Sequence, residues 1–331
     1  MGALNGTFAV RELWLGRRRG PSVVEIADGL VSLVDADPAG LPTWSVSLMP
    51  GVVDRHVHLG LVSPADLDRG PVVEVHDLGS SAHDAAAWRQ SPPDGVRVRA
   101  TGPFHTAPGG YPAGRPWVRD GWVRTVADAT EAETAVADAL AYEADALKIV
   151  LHGGAPTLDD ELLGLLIGLA HEAGLRVVAH AEGTGQVARA IDAGVDVLAH
   201  APWSERLPDE LLRRATRTTW LSTLAIHDEP QRAVAVDNVE RFRAAGGTVV
   251  YGTDLGNGSS HAGPSLPELL ALERAGISGD DLIAAVVHPA VSALAAEMML
   301  VGEAPLPATA AELGAWLTAS RRLTAASEVP A

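Results

Sequence analysis

The sequence contains no cysteine, which excludes a disulfide framework and a cysteine-ligated zinc site. It is short of cations: 25 basic residues face 42 acidic ones, for a net charge of −17. That balance argues against an electrostatic nucleic-acid binder and against a basic membrane-surface protein. No apolar run approaches the ~18 residues that a membrane span needs. Met1–Gly20 has no apolar stretch ahead of a cleavage site, so no secretory signal is expected. The expectation is a soluble, cytoplasmic protein acting on a small molecule, without a nucleic-acid or membrane partner, and with homo-oligomerisation left open. Lysine is nearly missing as well. Of the 25 basic residues, 24 are arginine and one is Lys148. Arginine is effectively always charged, whereas a lysine can be desolvated to a neutral amine, so a lone lysine raises the question of a role that arginine cannot fill.

What is present is apolar substance: 47% of the 331 residues are hydrophobic, enough for one large α/β domain or two ordinary ones. From Ser45 onwards, short β-rich runs alternate with helical patterns. The runs are Ser45–Val57, Pro71–Asp77, Val96–Thr101, Ala146–His152, Arg176–Ala181, Val195–Ala201, Thr219–Leu224 and Thr248–Asp254. Several are almost continuously apolar, as strands covered on both faces should be. Between and after them the periodicity predicts helices over Glu131–Glu143, Asp159–Ala173, Thr184–Ala193, Asp209–Thr216, Gln231–Ala245, Leu266–Ala275 and Asp280–Ala296. Gly174, Gly194, Gly246 and Gly276 stand where left-handed helix ends are expected. Eight β-then-α units over ~250 residues predict an α/β fold of the (β/α)8 TIM-barrel type. A doubly wound sheet is disfavoured because no G-x-G-x-x-G follows the first strand.

Residues 1–44 read as a small β-rich outer segment with a hairpin about Asp28-Gly29, residues 45–296 as the barrel, and residues 297–331 as a helical or irregular extension. The outer domain is expected to be reduced, built from the N-terminal segment and open to a contribution from the C-terminus.

His56 and His58 lie two apart on a strand, so their side chains leave one face. Lys148 ends the fourth strand, His180 and His200 end the fifth and sixth, and Asp254 ends the eighth. In a barrel, strand C-termini converge on one mouth where catalytic groups sit, so these side chains point to a metal centre.

The run Pro50-Gly51-Val52-Val53-Asp54-Arg55-His56-Val57-His58 resembles the opening signature of the amidohydrolase superfamily. VVAHAEG (177–183), DVLAHAPW (196–203) and YGTD (251–254) resemble its later metal motifs, and ALKIVLHGG (146–154) resembles the segment carrying a bridging lysine. The imidazolonepropionase-like branch, with its prolidase-like members, is the most similar, over about residues 45–296. The resemblance implies metal-dependent hydrolysis of an amide C–N bond in a small molecule such as a dipeptide or N-acyl amino acid. It implies two divalent ions, zinc first and manganese or iron as alternatives. His56, His58 and Asp254 would hold one, His180 and His200 the other, and Lys148 carboxylated by CO2 would bridge both with a hydroxide. Asp254 would be general base and then general acid. Imidazole and carboxylate donors suit these metals, and only a neutral amine can add CO2.

Alternatives stay open at this point: a mononuclear cyclic amidine or lactam hydrolase or deaminase, a lactone or ester hydrolase, and a metal-retaining binding or scaffold barrel. Further substrate contacts are expected from His152, His227, Asn257 and His261 on rim loops. Gly102–Trp122 reads as a lid, with Tyr111, Arg115 and Trp117 over the substrate and Arg115 paired with a carboxylate.

Overall fold

The computed structural model describes residues 5–63, 67, 70–93, 95–258 and 263–324. The strand Leu147–His152 is buried along all but its last residue, because its apolar run is covered on both faces. It pairs in parallel with Val177–Glu182, setting Lys148 opposite Val178 and Val150 opposite His180. On its other side Lys148 stands opposite Phe104. These belong to a seven-stranded parallel sheet in the order Val123–Thr125, Phe104–Thr106, Leu147–His152, Val177–Glu182, Val197–Leu198, Thr219–Leu221, Thr248–Val250. A second parallel sheet holds Val52–Val57, Val72–Asp77 and Arg97–Ala100.

Backbone hydrogen bonds tie the two sheets at one seam. Arg55 N donates to Tyr251 O at 3.2 Å and His58 N to Leu255 O at 2.7 Å. At the other seam the chain passes from Arg97–Ala100 into Phe104–Thr106, and Ser80 N donates to Gly102 O at 3.0 Å. The architecture is a mixed α/β fold whose parallel sheets curl about a shared interior.

Helices cover the outside. Ala129–Ala141 and Asp160–Glu172 are opened by Asp128 and Asp159, whose carboxylates accept from the backbone N–H of Glu131 and Leu162, relieving amides that have no partner in the first turn. Each buries alanine, valine or leucine side chains. Among the described residues no helix is long and apolar enough to cross a membrane.

Two expected elements come out differently. The run Ser45–Val57 divides at Gly51 into Thr43–Pro50, which joins another sheet, and Val52–Val57. Gly51 is required there: a Cβ would fall 2.2 Å from Val73 Cγ1. The helix expected over Asp280–Ala296 is confined to Gly279–Val286. Pro289 disfavours a helical His288, whose N–H instead bonds Gly51 O at 2.9 Å, and Ala293–Ala295 becomes a strand.

The other sheet is antiparallel in most pairings. It runs Ala293–Ala295, Leu30–Val34, Ser22–Ala27, Gly6–Trp14, Thr43–Pro50, Met299–Gly302 and Arg321–Arg322, with Arg18–Arg19 beside Gly6–Trp14. It has its own core, including Phe8, Trp44, Leu48 and Met299. The Asp28-Gly29 hairpin turn forms with both residues at positive φ, 51° and 76°, as a two-residue loop of primed type requires.

Candidate metal centre

The C-terminal ends of the parallel strands open into a cavity of about 350 Å³, lined in part by His56, His58, Lys148, His180, His200 and Asp254. Six side chains spread over two hundred positions of sequence therefore share one wall. Tyr111, Trp117 and Asn257 line the same cavity.

Hydrogen bonds behind the imidazoles decide which nitrogen each presents. His56 Nδ1 lies 2.7 Å from Ala199 O. A carbonyl only accepts, so Nδ1 carries the proton and Nε2 is left with a lone pair. That Nε2 lies 3.2 Å from Asp254 Oδ1, and both atoms are buried without a hydrogen-bond partner. His58 Nε2 is also 3.2 Å from Asp254 Oδ1. His200 Nδ1 meets Thr223 Oγ1 at 2.9 Å, which turns its Nε2 away from Thr223. His180 Nε2 meets Glu182 Oε2 at 3.2 Å; the carboxylate accepts, so Nδ1 is its free lone pair.

Two lone pairs held 3.2 Å apart in a dry site repel unless a proton or cation stands between them. His56, His58 and Asp254 form a trio whose ligand atoms are close enough to hold one ion. Burial drives the His56 and His200 imidazoles well toward the neutral form. Burial alone would raise the Asp254 carboxyl, but His56, His58 and His200 outweigh it and hold the group well below the usual carboxylate range. Neutral imidazoles and an ionised carboxylate are the states that bind metals.

The backbone is shaped for this. Asp254 has φ 54°, a left-handed conformation uncommon outside glycine that concentrates at functional sites. Asn257 Nδ2 donates to its Oδ2 at 2.9 Å. Asp54, buried, accepts from His56 N at 3.2 Å, from Thr253 N at 3.0 Å and from the Thr253 hydroxyl, so one carboxylate locks together the segments that carry His56 and Asp254. Asp77 accepts from Leu59 N at 2.7 Å and fixes the turn after His58. Lys148 is 1% exposed. Burial lowers its ammonium to about 7, against the pull of Asp254 and Asp77. Its Nζ stands 6.0 Å from the Phe104 ring centre.

Of the remaining candidates, His152 stacks on Tyr111 at 4.6 Å and sits 3.1 Å from Glu182 Oε2. His227 stacks on Trp203 at 4.5 Å. Trp203 in turn packs edge-on against His180 and His200. Arg115 is exposed, with its guanidinium 5.3 Å from the Tyr111 ring centre, and does not line the cavity. His261 lies outside the described residues.

Sequence reasoning missed Glu182, Trp203, Phe104 and Thr223. Glu182 was within reach, two residues beyond His180 on a strand and so on the same face. With His152 and His180 it makes a second trio able to hold an ion.

A larger cavity, about 540 Å³, opens at the opposite ends of the strands. Its Arg55 is spent on the carbonyls of Val53, Ala285 and Val287, and its Glu74 Oε1 on His76 and Arg99. The orphaned pair His56 Nε2 and Asp254 Oδ1 lies instead at the strand C-termini, where reactive groups gather in barrels.

No family model and no curated protein matches the sequence. Solved structures do match. Ochratoxinase of A. niger superposes with TM-score 0.71 at 18% identity, covering 90% of both chains. A Xaa-Pro dipeptidase with bound methionine in its active site gives 0.69 at 17%, covering 90% of this chain and 94% of that one. Phenylurea hydrolase B gives 0.70 at 16%, covering 98% and 97%. By fold, this chain groups with the solved amidohydrolases and prolidases.

Proposed function

We propose that the chain is a metal-dependent hydrolase that cleaves an amide C–N bond of a small molecule, with dipeptides and N-acyl amino acids as the first classes to try. In this reading the two parallel sheets form one barrel of eight strands within residues 45–296, a view supported by the backbone bonds at both seams. Arg97–Ala100 and Phe104–Thr106 then count as one strand, and Val123–Thr125 lies outside the ring. His56, His58 and Asp254 would hold one divalent ion, and His180 and His200 a second. Lys148, carboxylated, would serve both. Zinc suits this donor set, as do manganese and iron.

The observation that carries the reading is the orphaned pair His56 Nε2 and Asp254 Oδ1, two buried acceptors 3.2 Å apart. Burial of Lys148 supports the carbamate, because an amine lowered to about 7 offers its neutral, CO2-reactive form near neutrality. Bound here, divalent ions supply Lewis acidity, bringing a water's pKa down toward ~7 and polarising the substrate carbonyl. The chain's own part is positioning and proton transfer. Asp254, steadied by Asn257, would take the proton of the attacking water and hand it to the leaving nitrogen.

Elemental analysis of the purified protein, beside assays on dipeptides and N-acyl amino acids, tests the reading. The expected result is about two ions per chain, falling in Lys148→Ala and partly restored by bicarbonate with a short-chain acid. One ion, indifferent to Lys148→Ala, selects a mononuclear centre. A metal-free protein inert after loading with zinc, manganese or iron ends the proposal.

A further inference from the structure

The chain is poor in aromatic residues, with three phenylalanines, three tyrosines and eight tryptophans, yet one of each kind lines this cavity. Phe104, Tyr111 and Trp117 line it together with Leu61 and Val150. Trp117 lies edge-on to both Phe104 and Tyr111, at 6.1 and 6.3 Å between ring centres, and 6.4 Å from Trp122 behind it. These rings form a hydrophobic cluster separate from the main core, so they are not simply its edge. Rings arranged edge to face leave π surface for a further ring.

The charges around the wall have the opposite character to a carboxylate receptor. Among the described residues no guanidinium lines the cavity, and its one ammonium is Lys148, which belongs to the proposed metal centre. Arg115, the cation expected to clamp a carboxylate, stands outside over Tyr111. The charged group at the rim is instead Glu182, between His152 and His180 with its side chain 36% exposed. The chain as a whole is strongly acidic, which disfavours approach of an anion. Away from the ions proposed at the strand ends, which the scissile carbonyl would face, a carboxylate beside these rings would lose water without gaining a side-chain cation as partner.

We infer that the substrate is an uncharged amide bearing an aromatic ring within a few bonds of the scissile carbonyl, the ring seated against Phe104, Tyr111 and Trp117. This rests on the amide-hydrolase reading and narrows its substrate away from molecules with a free carboxylate.

The test uses three acetamides on the metal-loaded enzyme. N-acetylphenethylamine has the ring and no charge, N-acetyl-L-phenylalanine adds only a carboxylate, and N-ethylacetamide lacks the ring. The expected kcat/KM for the first exceeds each of the others about tenfold or more. Trp117→Ala should lower it for N-acetylphenethylamine several-fold more than for N-ethylacetamide. Equal or faster cleavage of N-acetyl-L-phenylalanine overturns the inference, as does indifference to the ring. If none of the three is cleaved, the fault lies with amide hydrolysis itself, and calorimetric titration of the same compounds decides the pocket separately. Tighter binding of N-acetylphenethylamine upholds the inference; tighter binding of the anion, or no binding of either, overturns it.

Discussion

His180 gives its Nε2 hydrogen to Glu182 Oε2 at 3.2 Å, two residues along the same strand. The hydrogen bond from His180 is the leading cause that holds the Glu182 carboxyl below its ordinary value, so Glu182 accepts and His180 keeps a lone pair on Nδ1. Partners of this kind set ring orientation and basicity, and losing one typically costs about 10–100-fold in metal affinity. If His180 and His200 hold a second ion as proposed, Glu182→Gln is expected to weaken it by about that factor while the ion proposed at His56, His58 and Asp254 stays. Metal content measured across a series of free zinc concentrations checks this; uniform loss of both ions would contradict it.

The gathering of these six side chains at one cavity was legible in the sequence because strand periodicity and the convergence of strand ends are local rules with a global consequence. His56 and His58 share a face by the period of two. Of the residues expected at strand ends, Lys148 is instead the second residue of Leu147–His152 and His180 lies within Val177–Glu182, while His200 and Asp254 follow the ends of Val197–Leu198 and Thr248–Val250. What could not be read depends on tertiary approach. Thr223 reaches His200 from just beyond the strand Thr219–Leu221, and Trp203 is brought against His227 by the folding of separate loops. The two-residue strand Arg321–Arg322 has no period to detect. The break at Gly51 exists because Val73 leaves no room for a side chain there.

Asp54 gives a second prediction. Its carboxylate accepts from two backbone amides and one hydroxyl on opposite sides of the seam. An asparagine supplies one acceptor oxygen and turns an NH2 toward a donor, leaving at least one buried group unsatisfied. The expected loss in Asp54→Asn is about 1–3 kcal/mol of stability, with weaker metal retention as His56 and Asp254 lose their common anchor. Denaturant unfolding, with metal analysis alongside, measures both. A variant as stable as the parent would show that the seam does not depend on this carboxylate.

Arg115 offers a test of the lid. Its guanidinium stands 5.3 Å from the Tyr111 ring centre and is exposed, a geometry worth about 0.5–1 kcal/mol at such sites. Arg115→Ala should therefore loosen Tyr111 slightly and alter KM alike for anionic and neutral amides. If KM rose selectively for anionic amides, Arg115 would be the carboxylate clamp that the lid sequence suggests.

Glu268 governs a pH dependence of stability distinct from the candidate metal centre. Its carboxyl is fully buried and accepts from Leu224 N at 2.9 Å and Ala225 N at 2.6 Å. Burial is the dominant influence and raises its pKa to about 7, against the lowering effect of those bonds. An acid whose folded pKa lies above its unfolded value binds its proton more tightly when folded. Its favourable contribution is present in full below the unfolded pKa, near 4.5, and is lost as pH rises toward 7. A shift of this size corresponds to about 3 kcal/mol between those limits. Glu268→Gln cannot ionise, so its unfolding free energy should fall less than that of the parent between pH 4.5 and pH 8. Denaturant curves for both proteins at the two pH values decide it: parallel changes would mean that Glu268 stays in one protonation state across the range.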